Sequence, residues 1–96
     1  MRRILAFVHI FVESPRLDEV VRALQRIPNI EELSDVTGEF DIVSMVSAKD
    51  LEEFRDVLKN KIMKIGGVKS TVSSIVLHRH GLVEVETEKV TAEILA

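Results

Sequence analysis

Val36-Thr37-Gly38-Glu39-Phe40-Asp41-Ile42-Val43 joins two strand-like runs through a single glycine. Gly38 can take a positive φ at no steric cost, so the chain can reverse there as a hairpin. Asp41 then places a carboxylate at the head of an apolar run formed by Ile42, Val43, Met45 and Val46. Asp is depleted in strands and costly to bury unpaired, so this one calls for a cation or for N–H donors. Either Asp41 satisfies the amides of its own turn, a common use of Asp, or it holds the positive group of a ligand.

The same pattern of elements unfolds on both sides of this hairpin. Upstream, Ile4 to Val12 is apolar on both strand faces, with His9 the one break. Ile4, Ala6, Val8, Ile10 and Val12 share one face, and Leu5, Phe7, His9 and Phe11 the other. Ser14-Pro15 reads as a helix start, Ser as N-cap and Pro at the first helical position. Asp18 and Glu19 follow in the early turns, where the helix dipole favours acids. Leu17, Val20, Val21, Leu24 and Ile27 recur at helical spacing, and Pro28-Asn29 stops the helix. Ile30 to Val36 reads as a second strand and Phe40 to Ser47 as a third. Downstream, Asp50 with Glu53 forms a capping-box pattern ahead of a stripe of Leu51, Phe54, Leu58, Ile62 and Ile65. Gly66-Gly67 closes that helix. Val68 to Leu77 is a fourth strand, and Leu82 to Glu86 is expected as a fifth after Gly81.

Strand-helix-strand therefore occurs twice, with Arg26-Ile27-Pro28-Asn29-Ile30 echoed by Lys64-Ile65-Gly66-Gly67-Val68. The expected fold class is α+β: a ferredoxin-like βαββαβ domain over residues 1–81, with a C-terminal extension over 82–96 read as an extra strand and a short helix or tail. It predicts a four-stranded antiparallel sheet with two helices on one face. Two helices cover one face only, and Phe7, Val8, Phe11, Val43, Met45, Ile75 and Leu77 are too many to reach them. An uncovered apolar face of that size is unusual in a monomer. A second copy packed sheet-to-sheet, most simply with twofold symmetry, would cover it.

Composition narrows the functional classes. A chain of 96 residues fits one small domain, with 46% apolar residues for a core and 30% charged residues of mixed sign. Thirteen basic and sixteen acidic residues give a net charge of −3, which argues against a phosphate-binding surface. With no Cys, disulfides, thiolate-bound zinc and thiol chemistry are excluded. The N-terminal apolar run lacks an A-x-A-like cleavage site and no run is long enough to span a membrane, so a cytoplasmic protein is expected.

Several pieces, taken in order, resemble the effector-binding domain of the Lrp/AsnC family of transcription regulators, often called the RAM domain. They are Ile27-Pro28-Asn29-Ile30, the Val36 to Val43 stretch, Lys49-Asp50-Leu51-Glu52-Glu53-Phe54, Ile65-Gly66-Gly67-Val68 and Thr71-Val72-Ser73-Ser74-Ile75-Val76-Leu77. The resemblance implies sheet-paired homodimers assembled into rings, with an amino acid or similar metabolite bound in clefts between dimers. It carries the ligand-binding role onto Gly38, Glu39, Phe40, Asp41, Thr71 and Ser73. Asp41 would meet the ammonium, with hydroxyls and turn N–H groups for the carboxylate. The chain opens directly on its first strand, without the helix-turn-helix of full-length regulators. A stand-alone effector module is therefore expected, with no direct nucleic-acid or membrane binding, acting through protein contacts, a full-length regulator being one expected partner. The family often has Thr where Ser73 stands.

Three other classes share the architecture. Small dimeric α/β-barrel enzymes, monooxygenase- or isomerase-like, would use His9, His78 or His80 as acid-base groups. His78 and His80 share a strand face, and with Glu84 or Glu86 they would form a weak metal pattern; a polar strand end is the simpler reading. RNA-binding modules need aromatics on the central strands and a basic surface, whereas this chain has no Tyr or Trp and Asp41 would repel phosphate. ACT-type regulatory domains usually carry a Gly in the first strand-helix loop, which here is Glu13-Ser14-Pro15-Arg16. The expectation is a non-enzyme with no cofactor and no metal.

Overall fold

A computed structural model describes residues 3–81. The strands are β1 (Ile4–Val12), β2 (Ile30–Asp35), β3 (Ile42–Ala48) and β4 (Val68–Ile75). Helix α1 spans Leu17–Leu24, and α2 begins at Leu51–Asp56 and continues as a π-helical segment, Val57–Ile62. The sheet order is β2-β3-β1-β4, with every neighbouring pair antiparallel. This is the expected βαββαβ arrangement. The expected fifth strand and the remainder of the extension, residues 82–96, lie outside the described residues. No described helix is long and apolar enough to cross a membrane.

The core lies between the sheet and the helices. Ala6, Val8, Ile10 and Val12 of β1 and Ile42, Val46 and Ala48 of β3 are all buried, together with Val20 and Leu24 of α1 and Phe54, Val57 and Ile62. Val8 therefore belongs to the covered face and not to the uncovered set. Strand alternation places it with Ala6 and Ile10. Ile75 pairs with Ala6 and so shares the helix-side register, yet it is exposed because β4 is an edge strand. Ser44 is the buried polar residue of the covered face, and its hydroxyl donates to the Val8 carbonyl at 3.0 Å.

Both helix starts depart in detail from the sequence pattern. Ser14 lies inside a short 3-10 turn, Ser14–Arg16, and makes no side-chain cap; the Arg16 N–H goes to the Glu13 carbonyl at 2.8 Å instead. Pro15 sits in that first turn, where its missing N–H is not needed. At α2, Asp50 caps as expected, accepting the Glu53 N–H at 2.8 Å. Glu53 does not close the box onto Asp50. Its Oε1 accepts from the Asn29 side chain at 3.0 Å and, at 3.4 Å, from the Lys49 N–H.

The apolar stripe of α2 also differs. Leu51 is exposed and Leu58 only half-buried, while Val57 is buried. The cause is the π turn: the Met63 N–H reaches the Leu58 carbonyl, five residues back. Val57 and Ile62, five apart, thus both face the core, a spacing that a regular 3.6-residue period does not bring together.

The α2–β4 connection locks against the β1–α1 connection. Gly67 is buried with φ +104°, and its carbonyl accepts the Glu13 N–H at 2.9 Å. A Cβ at Gly67 would lie 2.8 Å from Val20 Cγ2 and 3.0 Å from Arg16 Cβ, so both backbone angle and space require glycine. The Arg16 guanidinium lies beside Gly66 and donates to both carboxylate oxygens of Glu19 at 3.0 Å. That hydrogen bonding, and then the nearby positive charge, hold the Glu19 carboxyl below its ordinary range.

Candidate ligand-binding site

Gly38 has φ +114° and open space around it, so the β2–β3 reversal uses it as the sequence predicts. Beyond it, the backbone of Asp41 joins three strands. Its N–H donates to the Ile10 carbonyl at 3.2 Å, and its own carbonyl accepts the Val36 N–H at 3.0 Å. Its side-chain Oδ2 accepts the Val12 N–H at 2.7 Å. The carboxylate thus stands in for the strand carbonyl that the turn has carried away, and a backbone donor near the β1 bulge is satisfied. The donor belongs to the neighbouring strand and not to the turn itself. Oδ1 makes no hydrogen bond among the described residues and is not sealed from solvent. One oxygen is therefore structural and the other is available to a cation.

Phe40 turns back over the open face of the sheet. Its ring centroid lies 4.5 Å from that of His9 at 27° and 4.8 Å from that of Phe11 at 56°. Stacked and tilted pairs at these separations are favourable arrangements of aromatic quadrupoles. Gly38 and Glu39 are exposed at the tip of the turn. Thr71 and Ser73 sit on the edge strand β4, opposite Ile10 and Val8. That register puts both hydroxyl residues on the helix side of the sheet, Thr71 half-buried and Ser73 exposed, while Phe40 covers the opposite side. The structure brings Gly38, Glu39, Phe40 and Asp41 together. It does not bring Thr71 and Ser73 to them within one chain.

The open face holds Phe7, His9 and Phe11 of β1, Val43 and Met45 of β3 and Val72 of β4, in register across three strands. Phe7 is 39% and Val72 47% exposed. His9 stands opposite Val43 and Val72, with the Phe40 ring stacked on it.

A polar junction with no counterpart in the sequence reading lies at the far end of the sheet. Asn29 donates to the Ser47 carbonyl at 2.9 Å and to Glu53, and its own carbonyl accepts the Ser47 N–H at 2.8 Å. The Ser47 hydroxyl donates to Glu31 Oε1 at 2.5 Å. Asn29 reads in sequence as a helix stop; its partners lie 18 and 24 residues away, so local spacing carries no signal of them. His78 and His80 meet edge-on, with centroids 4.7 Å apart. Among the described residues, no group of three or more His, Asp or Glu side chains is placed to hold a metal ion.

A family profile described as the Lrp/AsnC ligand binding domain matches residues 5–90. The chain belongs to the Lrp/AsnC family. It is 39% identical over 72 residues to an uncharacterised HTH-type transcriptional regulator of Pyrococcus horikoshii, a match covering 75% of this chain and 46% of that protein. The chain thus spans about half the length of the regulators it matches. It is also 38% identical over 60 residues to a homocitrate synthase of Sulfurisphaera tokodaii, covering 62% of this chain but 13% of that enzyme. Among solved structures, TTHA0845 of Thermus thermophilus aligns with TM-score 0.78 and 32% identity over 82% of this chain and 99% of that one. A feast or famine regulatory protein of M. tuberculosis complexed with L-methionine aligns with TM-score 0.72 and 26% identity, over 82% of this chain and 53% of that one. The Lrp/AsnC fold is thus the fold of this chain, and the family is one of transcription regulators and their ligand-binding domains.

Proposed function

We propose that this chain is a stand-alone, non-catalytic amino-acid-sensing module of the cytoplasm. Copies pair sheet-to-sheet into a homodimer, and dimers assemble into a ring. A small amino acid or related metabolite binds between dimers. Gly38, Glu39, Phe40 and Asp41 approach it from the turn, with Asp41 Oδ1 toward the ammonium. Thr71 and Ser73 reach it from another copy. The loaded assembly modulates transcription regulators through protein contacts, a full-length family member being the natural partner.

The observation that carries this reading is the division of the candidate residues. Phe40 covers the open side of the sheet, whereas Thr71 and Ser73 stand opposite Ile10 and Val8 on the helix side, so a ligand touching both needs more than one chain. The open apolar face supplies a reason for chains to associate. The methionine complex of the M. tuberculosis relative supports an amino acid as the ligand class, and the Thermus chain, matched over 99% of its length, supports a module of this size standing alone.

Native mass spectrometry of the full chain, with and without L-methionine and a panel of other amino acids, tests it. The expected result is an even-numbered oligomer that gains up to one ligand mass per chain with one or a few of the panel. A monomer at micromolar concentration that retains no amino acid would overturn it.

A further inference from the structure

The open face of the sheet carries a titratable group at its centre. His9 lies between Phe7 and Phe11 on β1, with Val43 opposite it on β3 and Val72 opposite it on β4. The Phe40 ring is stacked on the imidazole, centroid to centroid at 4.5 Å. The ring nitrogens of His9 make no hydrogen bond among the described residues and keep contact with solvent in a single chain. Imidazole is the side chain whose charge ordinarily changes between about pH 5 and 8.

Among the described residues, no carboxylate is placed to pair with a protonated His9. The side chains that face it from β1, β3, β4 and the turn are the apolar ones just named. Glu39 and Asp41 flank Phe40, but Glu39 is exposed at the tip of the turn and the Asp41 carboxylate is held by the Val12 N–H, three residues along β1 from His9. Glu32 stands opposite Met45 on the edge strand β2, two strands or about 10 Å from β1. On β4 the charged neighbour is a cation, Lys69, at the bulge opposite Phe11 and Val12. Arg3 and Glu31, which share the Ser47 hydroxyl, and His78 beside Arg3 lie toward the start of β1, about 13–20 Å along the strand from His9. A twofold partner presents this same face, and so the same side chains.

We propose that His9 makes the pairing of two copies pH-dependent: the homodimer holds a neutral imidazole and loosens on acidification. The inference rests on the sheet-to-sheet pairing proposed above. Covering the face moves His9 out of water and against aromatic and aliphatic side chains from both copies. A neutral imidazole tolerates that transfer, whereas an imidazolium with no carboxylate partner is costly to bury. In a single chain the imidazolium keeps water on its open side and the Phe40 ring on the other, and an aromatic face attracts a cation. Pairing therefore favours the form without the proton. An association that excludes protons is strongest at high pH and weakens as pH falls through the range in which imidazole ionises. Each dimer carries two such groups, so the two contributions add.

Sedimentation equilibrium of the full chain at pH 7.5 and pH 5.5, with circular dichroism to monitor folding, tests it. Carboxylates ordinarily titrate below this window, near about pH 4. The wild-type dimer dissociation constant should rise about tenfold or more at pH 5.5 while the circular dichroism stays native. His9→Phe and His9→Gln, neutral at both pH values, should dimerise with a dissociation constant that changes less than about twofold. His78→Gln should keep the wild-type dependence. A wild-type constant unchanged at pH 5.5 overturns the switch and leaves the dimer standing, whereas a wild type that is monomeric at both pH values overturns the dimer and the switch together. The switch is also overturned if both His9 variants keep the pH dependence or both fail to dimerise at pH 7.5, if His78→Gln removes the dependence, or if the chain unfolds at pH 5.5.

Discussion

The two faces of the sheet are built from similar residues and end in opposite environments. On β1, Ala6, Val8, Ile10 and Val12 are sealed beneath α1 and α2, whereas the intervening Phe7 keeps 39% of its surface exposed. On β3, Ile42 and Val46 are buried while Val43 and Met45 are half-buried on the other side. An apolar strand face is a requirement for cover, not a description of it. One face has its cover within the chain. For the other, among the described residues, Phe40 folds over part of it, onto His9 and Phe11, and our reading assigns the rest to a second copy.

Substitutions on the two faces should therefore fail in different ways. The largest effect is expected on the covered side. Ile10 is fully buried, so Ile10→Ala should cost about 3 kcal/mol of unfolding free energy, within the usual span for deleting buried aliphatic groups. Urea denaturation measures it, and a loss below about 1 kcal/mol would mean that the core is not centred on this strand.

Asp41 sharpens the contrast because its two oxygens serve different purposes. Asn can still accept the Val12 N–H, so Asp41→Asn should shift unfolding free energy by no more than about 1 kcal/mol. Amino-acid affinity should fall by about 1.5–3 kcal/mol, the scale of a hydrogen bond to a charged group. Calorimetric titration beside thermal melts separates the two roles. A variant that melts early yet binds as tightly as the wild type would make the carboxylate a strand joint and nothing more.

A smaller effect is expected at Ser44, the polar intruder on the covered face. Removing its hydroxyl takes a donor from the buried Val8 carbonyl, and Ser44→Ala should cost about 1 kcal/mol by urea denaturation. Ser44→Ala as stable as the wild type would show that the strand ladder alone satisfies that carbonyl.

The element order, the hairpin at Gly38, the Asp50 cap and the uncovered face were legible because each rests on local spacing or on strand alternation. What was not legible depends on contacts between distant segments or on irregular geometry. The π turn moved Val57 into the core in place of Leu58, and no helical period announces such a turn. Ser14 resembled an N-cap, but the Glu13 N–H is committed to Gly67, 54 residues on, and the chain enters the helix through a 3-10 turn. At the site, the turn cluster of Gly38, Glu39, Phe40 and Asp41 is contiguous in sequence and contiguous in space. Thr71 and Ser73 were grouped with it by family resemblance alone. Their register against Ile10 and Val8, which sets them on the other side of the sheet, becomes visible only when the strands are paired. The dual use of the Asp41 carboxylate is likewise invisible without Val12.

Sedimentation equilibrium of the wild-type chain and of Phe11→Glu, with circular dichroism to monitor folding, tests the role of the open face most directly. Phe11 lies on that face beneath Phe40, outside the helix-covered core. The wild type should sediment as a dimer or a multiple of dimers, and Phe11→Glu as a folded monomer. A monomeric wild type, or a Phe11→Glu variant with its oligomeric state unchanged, would contradict the account.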